Sequence, residues 1–374
     1  RFDSSLAYAL PRKSHAWQTA LNTVAHHWPN EVIGYDFTAN DITAKLSQLP
    51  LFAIIVVTLS SQEADIDTLM QNWVDTETHW QLSVVEDDNT AKACAHLISV
   101  DYPLAKVNIH RYLLAPKHDM GQISKTAAAH IIDDQITSYL SNVIRADVHI
   151  LSVDKMLTRH RLACFDMDST LIEEEVIVEL AKFGGVEEQV SIITEQAMRG
   201  EIDFATSFAR RVALLEGIPL NSIDEIIAKH IHIQPGAVAA MRALKAIGYH
   251  TVLISGGFEP FAKHISQVLG MDEYYANPLL HDGNALTGMV DDNILDGHQK
   301  ALIVKKVAER LGLPMQQVIC IGDGANDLPM MANSDLGIAY HAKPIVQAKA
   351  SAAVNITGLE GVIYALGHRL DYQS

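Results

Sequence analysis

The residues that could do chemistry gather in four short stretches. The first is Asp166-Met167-Asp168-Ser169-Thr170, directly behind the apolar run Leu162 to Phe165. Two carboxylates one residue apart at a strand's end can hold a divalent cation. Alternatively, one can attack an electrophile while the other moves a proton. The second stretch is Ser255-Gly256-Gly257, a hydroxyl followed by unshielded backbone amides, suited to an anion's oxygens. The third is Lys300, a point charge that suits a phosphate. The fourth is Gly322-Asp323-Gly324-Ala325-Asn326-Asp327, two more carboxylates behind an apolar run. Each alone is an ordinary turn sequence. Together they describe a phosphate cradle beside a cation site, with Asp166 as the nucleophile.

Such a site needs elements that bring the four stretches to one edge. From Leu162 onward the chain alternates short apolar runs with segments of helical spacing, the pattern of an α/β fold with a parallel sheet. Ligands in such folds sit at the carboxyl ends of the strands. Strands are predicted at Leu162 to Phe165, His250 to Ile254, Gln317 to Ile321 and Leu336 to Ala339, each emptying into a loop. Between the first two, residues 176–232 read as a helical block, broken at Gly200 and Gly217, with Asn221 as an N-cap. Its size suits a small cap, with Gly184, Gly185 and Gly217 as hinges. Asp282-Gly283-Asn284 predicts a hairpin turn between strands at Tyr274 to Leu280 and Ala285 to Val290.

Residues 1–155 read as a separate α+β module. Strands are expected at Pro50 to Leu59, Trp80 to Val85, Ala105 to Leu114 and Val148 to Val153. A helix is expected over Gly121 to Arg145, its apolar stripe running through Ile123, Ala127, Ile131, Ile136, Leu140 and Ile144. No cluster of titratable or ligating residues falls in this part.

The chain has 374 residues, 28 basic and 45 acidic, for a formal net charge of −17. That balance argues against nucleic acid as a partner, while a metal and a few local cations still allow a small anionic substrate. Three cysteines, Cys94, Cys164 and Cys320, are too few and too scattered for a disulfide framework and read as buried thiols. The longest apolar run, Leu51 to Val57, is too short to span a bilayer, and no leader pattern is evident. No membrane partner is expected, and the cytoplasm is the expected location.

The four stretches resemble motifs one to four of the haloacid dehalogenase superfamily of phosphotransferases. Over about 162–370 the chain is similar to the phosphoserine phosphatase family within it, and the match extends into the cap at Ile193 to Met198 and Phe204 to Val212. The resemblance implies a Rossmann-like α/β core with a cap inserted after the first strand, as a phosphatase domain over 156–374. It implies an O-phospho-L-serine phosphatase using Mg²⁺. Asp166 would then be the nucleophile and Asp168 the acid and base. Mg²⁺ would lie on Asp166, the Asp168 carbonyl, Asp323 and Asp327, with Asn326 supporting. Ser255, Gly256, Gly257 and Lys300 would take the phosphoryl group. Glu175 would take the substrate ammonium, Arg211 its carboxylate, with Met198 and Phe204 closing over it. Arg210 and Arg211 remain alternatives for the inward cation, and His298 is read as a surface residue. The N-terminal part resembles, weakly, the ACT-like accessory domains of the family, and a homodimer is the expected assembly. Phosphoryl transfer to another acceptor, another small phosphate as substrate, or an amino-acid sensor with a vestigial site are the competing readings.

Overall fold

The computed structural model describes residues 51–62, 64–76, 80–85, 104, 106–116, 125–199 and 201–368. Among the expected features, Pro50, Cys94, Ile123, Gly200 and the side chains of Ala127 and Met198 lie outside the described residues. The chain divides into two compact units. One takes the chain up to His160 with Val238–Tyr249 and the segment from Ser351, the other Arg161–Ala237 with His250–Ala350.

In the first unit the order is β1 (Phe52–Leu59), α1 (Ile66–Thr76), β2 (Trp80–Val84), β3 (Val107–Pro116), α2 (Lys125–Ser141), β4 (Ala146–Ser152) and α3 (Val153–Leu157). The strands form an antiparallel sheet in the order β2-β3-β1-β4. Strand β1 is central and buried on both faces, which explains its unbroken apolar run. Phe52, Ile54 and Val56 alternate onto the face that packs Met70 and Trp73 of α1 and Ile132, Ile136 and Leu140 of α2. The buried stripe of α2 runs through Ala128, Ile132, Ile136 and Leu140, whereas Ile131 is 50% exposed. A strict four-residue step therefore corrects the expected stripe by one position at Ile131. The polar stretch Asp154 to Arg161 begins inside α3.

The other face of β4 carries Asp147, 3% exposed. Its carboxylate accepts from the Asn355 amide at 2.9 and 3.0 Å and from the Ile356 amide at 3.1 Å. These bonds tie the segment behind a short strand, β10 (Ala352–Val354), to the unit. Removing a buried anion that satisfies two amides should cost about 3 kcal/mol. Asp147→Ala is expected to lower the urea midpoint accordingly, read by circular dichroism against the unchanged chain.

The second unit opens with β5 (Leu162–Phe165), then α4 (Val176–Gly184), α5 (Glu187–Met198), α6 (Phe204–Ala213) and α7 (Ser222–His230). After α8 (Ala237–Ala246), nearly all of which belongs to the first unit, come β6 (His250–Phe258), α9 (Glu259–Leu269), β7 (Glu273–Asn277) and α10 (Gly297–Arg310). The unit ends with β8 (Val318–Gly322), α11 (Leu328–Asn333) and β9 (Leu336–Tyr340). Its strands lie in the order β9-β8-β5-β6-β7, all parallel. Parallel sheets are covered on both faces, and β5 and β8 accordingly bury every residue. Cys164 and Cys320 are register partners there, both fully buried.

Three local expectations change. Asn221 precedes α7 in a helical conformation without a side-chain cap bond. Beyond Asp282 no strand forms over Ala285 to Val290; the turn is held by single bridges, His281 with Leu286 and Pro219 with Ala285. The glycines expected as hinges serve inside the helical block instead. Gly185, at φ 67°, caps the end of α4, and a Cβ on Gly184 would come within 2.7 Å of Ile218. The chain enters and leaves the block through residues 171–174 and 232–234. These pair with each other through Glu173 N–H to the His232 carbonyl (3.0 Å) and Gln234 N–H to the Leu171 carbonyl (2.9 Å).

Candidate active site

Register brings the motif loops together. Phe165 of β5 stands opposite Leu253 of β6 and Ile321 of β8. Asp166 therefore lies one residue, and Ser255 and Asp323 two residues, beyond the same level of the sheet. The Asp166 amide still donates to the Ile321 carbonyl at 3.0 Å, so the nucleophile candidate is anchored by the ladder itself.

Asp166 is 3% exposed. Its Oδ1 accepts from the Met167 amide at 2.7 Å and lies 2.8 Å from Lys300 Nζ, while Oδ2 has Asn326 Nδ2 at 3.5 Å. Lys300 comes from the first turns of α10, whose N-cap Asp296 accepts from the Gln299 amide at 2.8 Å. The ammonium is fully buried and also binds Asp327 Oδ1 at 2.7 Å. Burial alone would push its pKa down, but the Asp166 and Asp327 carboxylates more than reverse that and raise it. It is held as a cation.

Asp327 folds back so closely that a Cβ on Gly322 would lie 2.4 Å from its carboxyl carbon. Ligand oxygens of Asp166, Asp323 and Asp327 all lie within 4.8 Å of one another. Thr170 Oγ1 donates to Asp323 at 3.3 Å. Burial, with Asp166 adding repulsion, raises Asp323 to about 7 and Asp327 to about 8. Three crowded carboxylates, two of them paired with one lysine, leave the cluster short of positive charge. An all-oxygen donor set of this kind suits a hard divalent cation such as Mg²⁺.

Asp168 stands apart from that trio. Its Oδ1 accepts from the Val176 amide at the start of α4 at 3.1 Å. A Cβ on Gly257 would lie 2.8 Å from its Oδ2 and 3.0 Å from Ser255 Oγ, so glycine is required for this approach. Burial and then the charges of Glu175 and Asp166 raise the Asp168 pKa well above its ordinary value. Between the aspartates and α4, Ser169 takes φ 55°, a left-handed conformation costing about 1–3 kcal/mol in a non-glycine residue.

The helical block adds the outer wall. Glu175 is the N-cap residue of α4 in extended conformation, not a first-turn residue, and its Oε1 accepts from Ser169 Oγ at 3.2 Å. Desolvation and then Asp166 push its pKa up. Arg211 is half-buried and within electrostatic reach of Glu175 and Asp168; burial lowers its pKa, which those two acids partly restore. Arg210 is exposed, so the geometry separates the two arginines. Phe204 stacks on Phe208 at 6.0 Å and approaches Gly256, whose Cβ would lie 3.8 Å from its ring. His298 is exposed.

Two buried or part-buried amides were not evident from sequence. Gln234 donates to the carbonyls of Ile172 at 3.3 Å and Ser169 at 3.5 Å and accepts from the Tyr340 hydroxyl at 3.2 Å, bracing the strained loop. Asn277 ends β7, 3% exposed, among the motif loops. A polar residue closing a short strand, for Asn277, and one just ahead of a helix, for Gln234, is the only signal either gave.

Residues 160–335 match the haloacid dehalogenase-like hydrolase family. The chain is 44% identical over 230 residues to a probable phosphoserine phosphatase of Schizosaccharomyces pombe, covering 61% of this chain and 77% of that one. It is 42% identical over 221 residues to a phosphoserine phosphatase of Polaromonas, covering 58% and 94% of the two chains. Among solved structures, a HAD family hydrolase of Salmonella enterica serovar Typhi superposes with a TM-score of 0.67 at 27% identity, over 84% of this chain and 98% of that one.

The raised carboxyls make cation binding compete with protons. In the metal-free protein each favours the folded chain while protonated, and that advantage is lost as pH rises from about 4 towards 7 for Asp323 and 8 for Asp327. A cation binds the deprotonated form. Mg²⁺ titrated calorimetrically should therefore bind more weakly at pH 5.5 than at pH 8, by about tenfold per pH unit for each proton displaced. Equal affinity at both values would contradict the assignment.

Proposed function

The chain belongs to the phosphoserine phosphatases of the haloacid dehalogenase-like hydrolases, and from that membership we propose that it hydrolyses O-phospho-L-serine through a phosphorylated Asp166. The observation that carries this reading is the Asp166 carboxylate, anchored by the sheet and 2.8 Å from the Lys300 ammonium, with Asp168 beside it biased to keep a proton.

Asp166 Oδ1 is occupied by Lys300 and the Met167 amide, which leaves Oδ2 as the attacking oxygen. As the bond from Oδ2 to phosphorus forms, the bond from phosphorus to the serine oxygen breaks, and Asp168 gives its proton to that oxygen. In the second half the Asp168 carboxylate takes a proton from water. The water oxygen bonds to phosphorus, the bond to Asp166 breaks, and phosphate leaves. The raised pKa of Asp168 suits both duties, since it must begin protonated and end so. Ser255, the Gly256 amide and Lys300 carry the phosphoryl charge, the main demand of phosphoryl transfer, while the Gly257 amide, grouped with them from sequence, donates to Ser255 Oγ instead.

Asp166, Asp323 and Asp327 would hold Mg²⁺, with the Asp168 carbonyl and Asn326 supporting. When bound, the cation would neutralise the site and stabilise charge on the phosphoryl oxygens. Glu175 is read as the partner of the substrate ammonium and Arg211 of its carboxylate, under Phe204 and Met198. Residues 1–155 are read as an accessory, ACT-like module beside the phosphatase domain, and the product as the end of a serine-forming sequence.

Asp166→Asn should abolish phosphate release and any hydroxylamine-sensitive phosphoenzyme, at least about 10³-fold in kcat. Retained turnover would remove Asp166 as nucleophile. In a panel of phosphorylated sugars and amino acids, phosphoserine should be the preferred substrate, and Arg211→Ala should erase that preference by raising KM at least about tenfold. A sugar phosphate preferred by the unchanged chain would sink the substrate assignment.

A further inference from the structure

Strand β6 pairs with β7 through Ile254 opposite Tyr275 and again through Phe258 opposite Asn277. Four steps along β6 thus answer two along β7, and Ser255-Gly256-Gly257 bulges out of the ladder. A bulge frees backbone groups that must find other partners. The Asn277 side chain supplies one. Its Nδ2 donates to the Gly256 carbonyl at 2.8 Å, and its Oδ1 accepts from the Leu295 amide at 2.7 Å. Both partners are backbone groups of fixed polarity, so the amide's orientation is settled.

In a trans peptide the Gly256 carbonyl and the Gly257 N–H point opposite ways. Fixing one aims the other, and the Gly257 amide donates to Ser255 Oγ at 2.8 Å. With its oxygen already accepting, the Ser255 hydroxyl must spend its own proton on another acceptor. A residue facing a phosphoryl oxygen needs that polarity. Leu295 immediately precedes Asp296, the N-cap of the helix that carries Lys300, so the same side chain couples the bulge to the lysine.

We infer that Asn277 is a positioning residue for phosphoryl transfer: it acts through the Gly256–Gly257 peptide to orient the Ser255 hydroxyl as a donor. The inference rests on the reading of Ser255 as a phosphoryl ligand. It is tested by a double-mutant cycle on the full chain with phosphoserine as substrate.

Asn277→Ala should lower kcat at least about tenfold with KM within about threefold, because the lost polarity acts chiefly on the developing phosphoryl charge. In a Ser255→Ala background the same change should cost less than about threefold, since the hydroxyl it orients is gone. Equal loss in both backgrounds would make Asn277 a structural residue and overturn the inference. Ser255→Ala at wild-type turnover would instead remove Ser255 as a ligand, and the inference with it. If N277A does not fold, the near-isosteric N277D carries the cycle at pH 8. Failure of both to fold would assign the bonds to stability alone, which also overturns the proposal.

Discussion

One buried ammonium sets the terms for everything around it. Lys300 is fully buried between Asp166 and Asp327, and its cost of desolvation is met by two ion pairs of 2.8 and 2.7 Å. Burying a single unpaired charge would be prohibitive, and so would burying these acids without it. The pairing fixes the rotamer of the nucleophile candidate and leaves Asp323 outside the exchange. That imbalance leaves a cluster of three carboxylates that could hold a cation. Charge deficiency and nucleophile orientation therefore have one origin.

The sheet supplies the other half of the constraint. Parallel strands in register end at one level, so loops that follow β5, β6 and β8 must converge whatever their sequences. Convergence alone would place the residues only coarsely. Finer placement comes from local departures from regular structure: the left-handed Ser169, the bulge over Ser255 to Gly257, and the Asp327 carboxyl folded against Gly322. Functional sites are where local rules are broken and the surroundings hold the break in place. Gln234 and Asn277 do that holding, each with a side-chain amide bonded to backbone.

These two scales explain what the sequence made legible. Strand-end carboxylates, a Gly-Gly pair and a lysine after a turn are local patterns, and the α/β order followed from apolar runs of the right length. The stripe of α2 was displaced at Ile131 because several apolar residues of one helix offered competing four-residue steps, and only packing against β1 chose between them. The expected strand beyond Asp282-Gly283-Asn284 failed because a turn sequence specifies the reversal and not the ladder that follows it. Asn277 left almost no pattern, since its value depends on a bulge in a strand that precedes it by about twenty residues.

The arginine pair shows where periodicity could have gone further. Phe204, Phe208 and Arg211 sit at positions i, i+4 and i+7 of α6, one face of one helix. Phe208 is buried and packs on Phe258, 5.7 Å between ring centroids, so that face is turned towards the end of β6. A cation carried on an apolar stripe is costly unless anions await it. Glu175 and Asp168 are the acids within its reach, and Arg210, a step of about 100° round the helix, faces solvent instead. Two acids pushed towards protonation by burial thus face a guanidinium that opposes it.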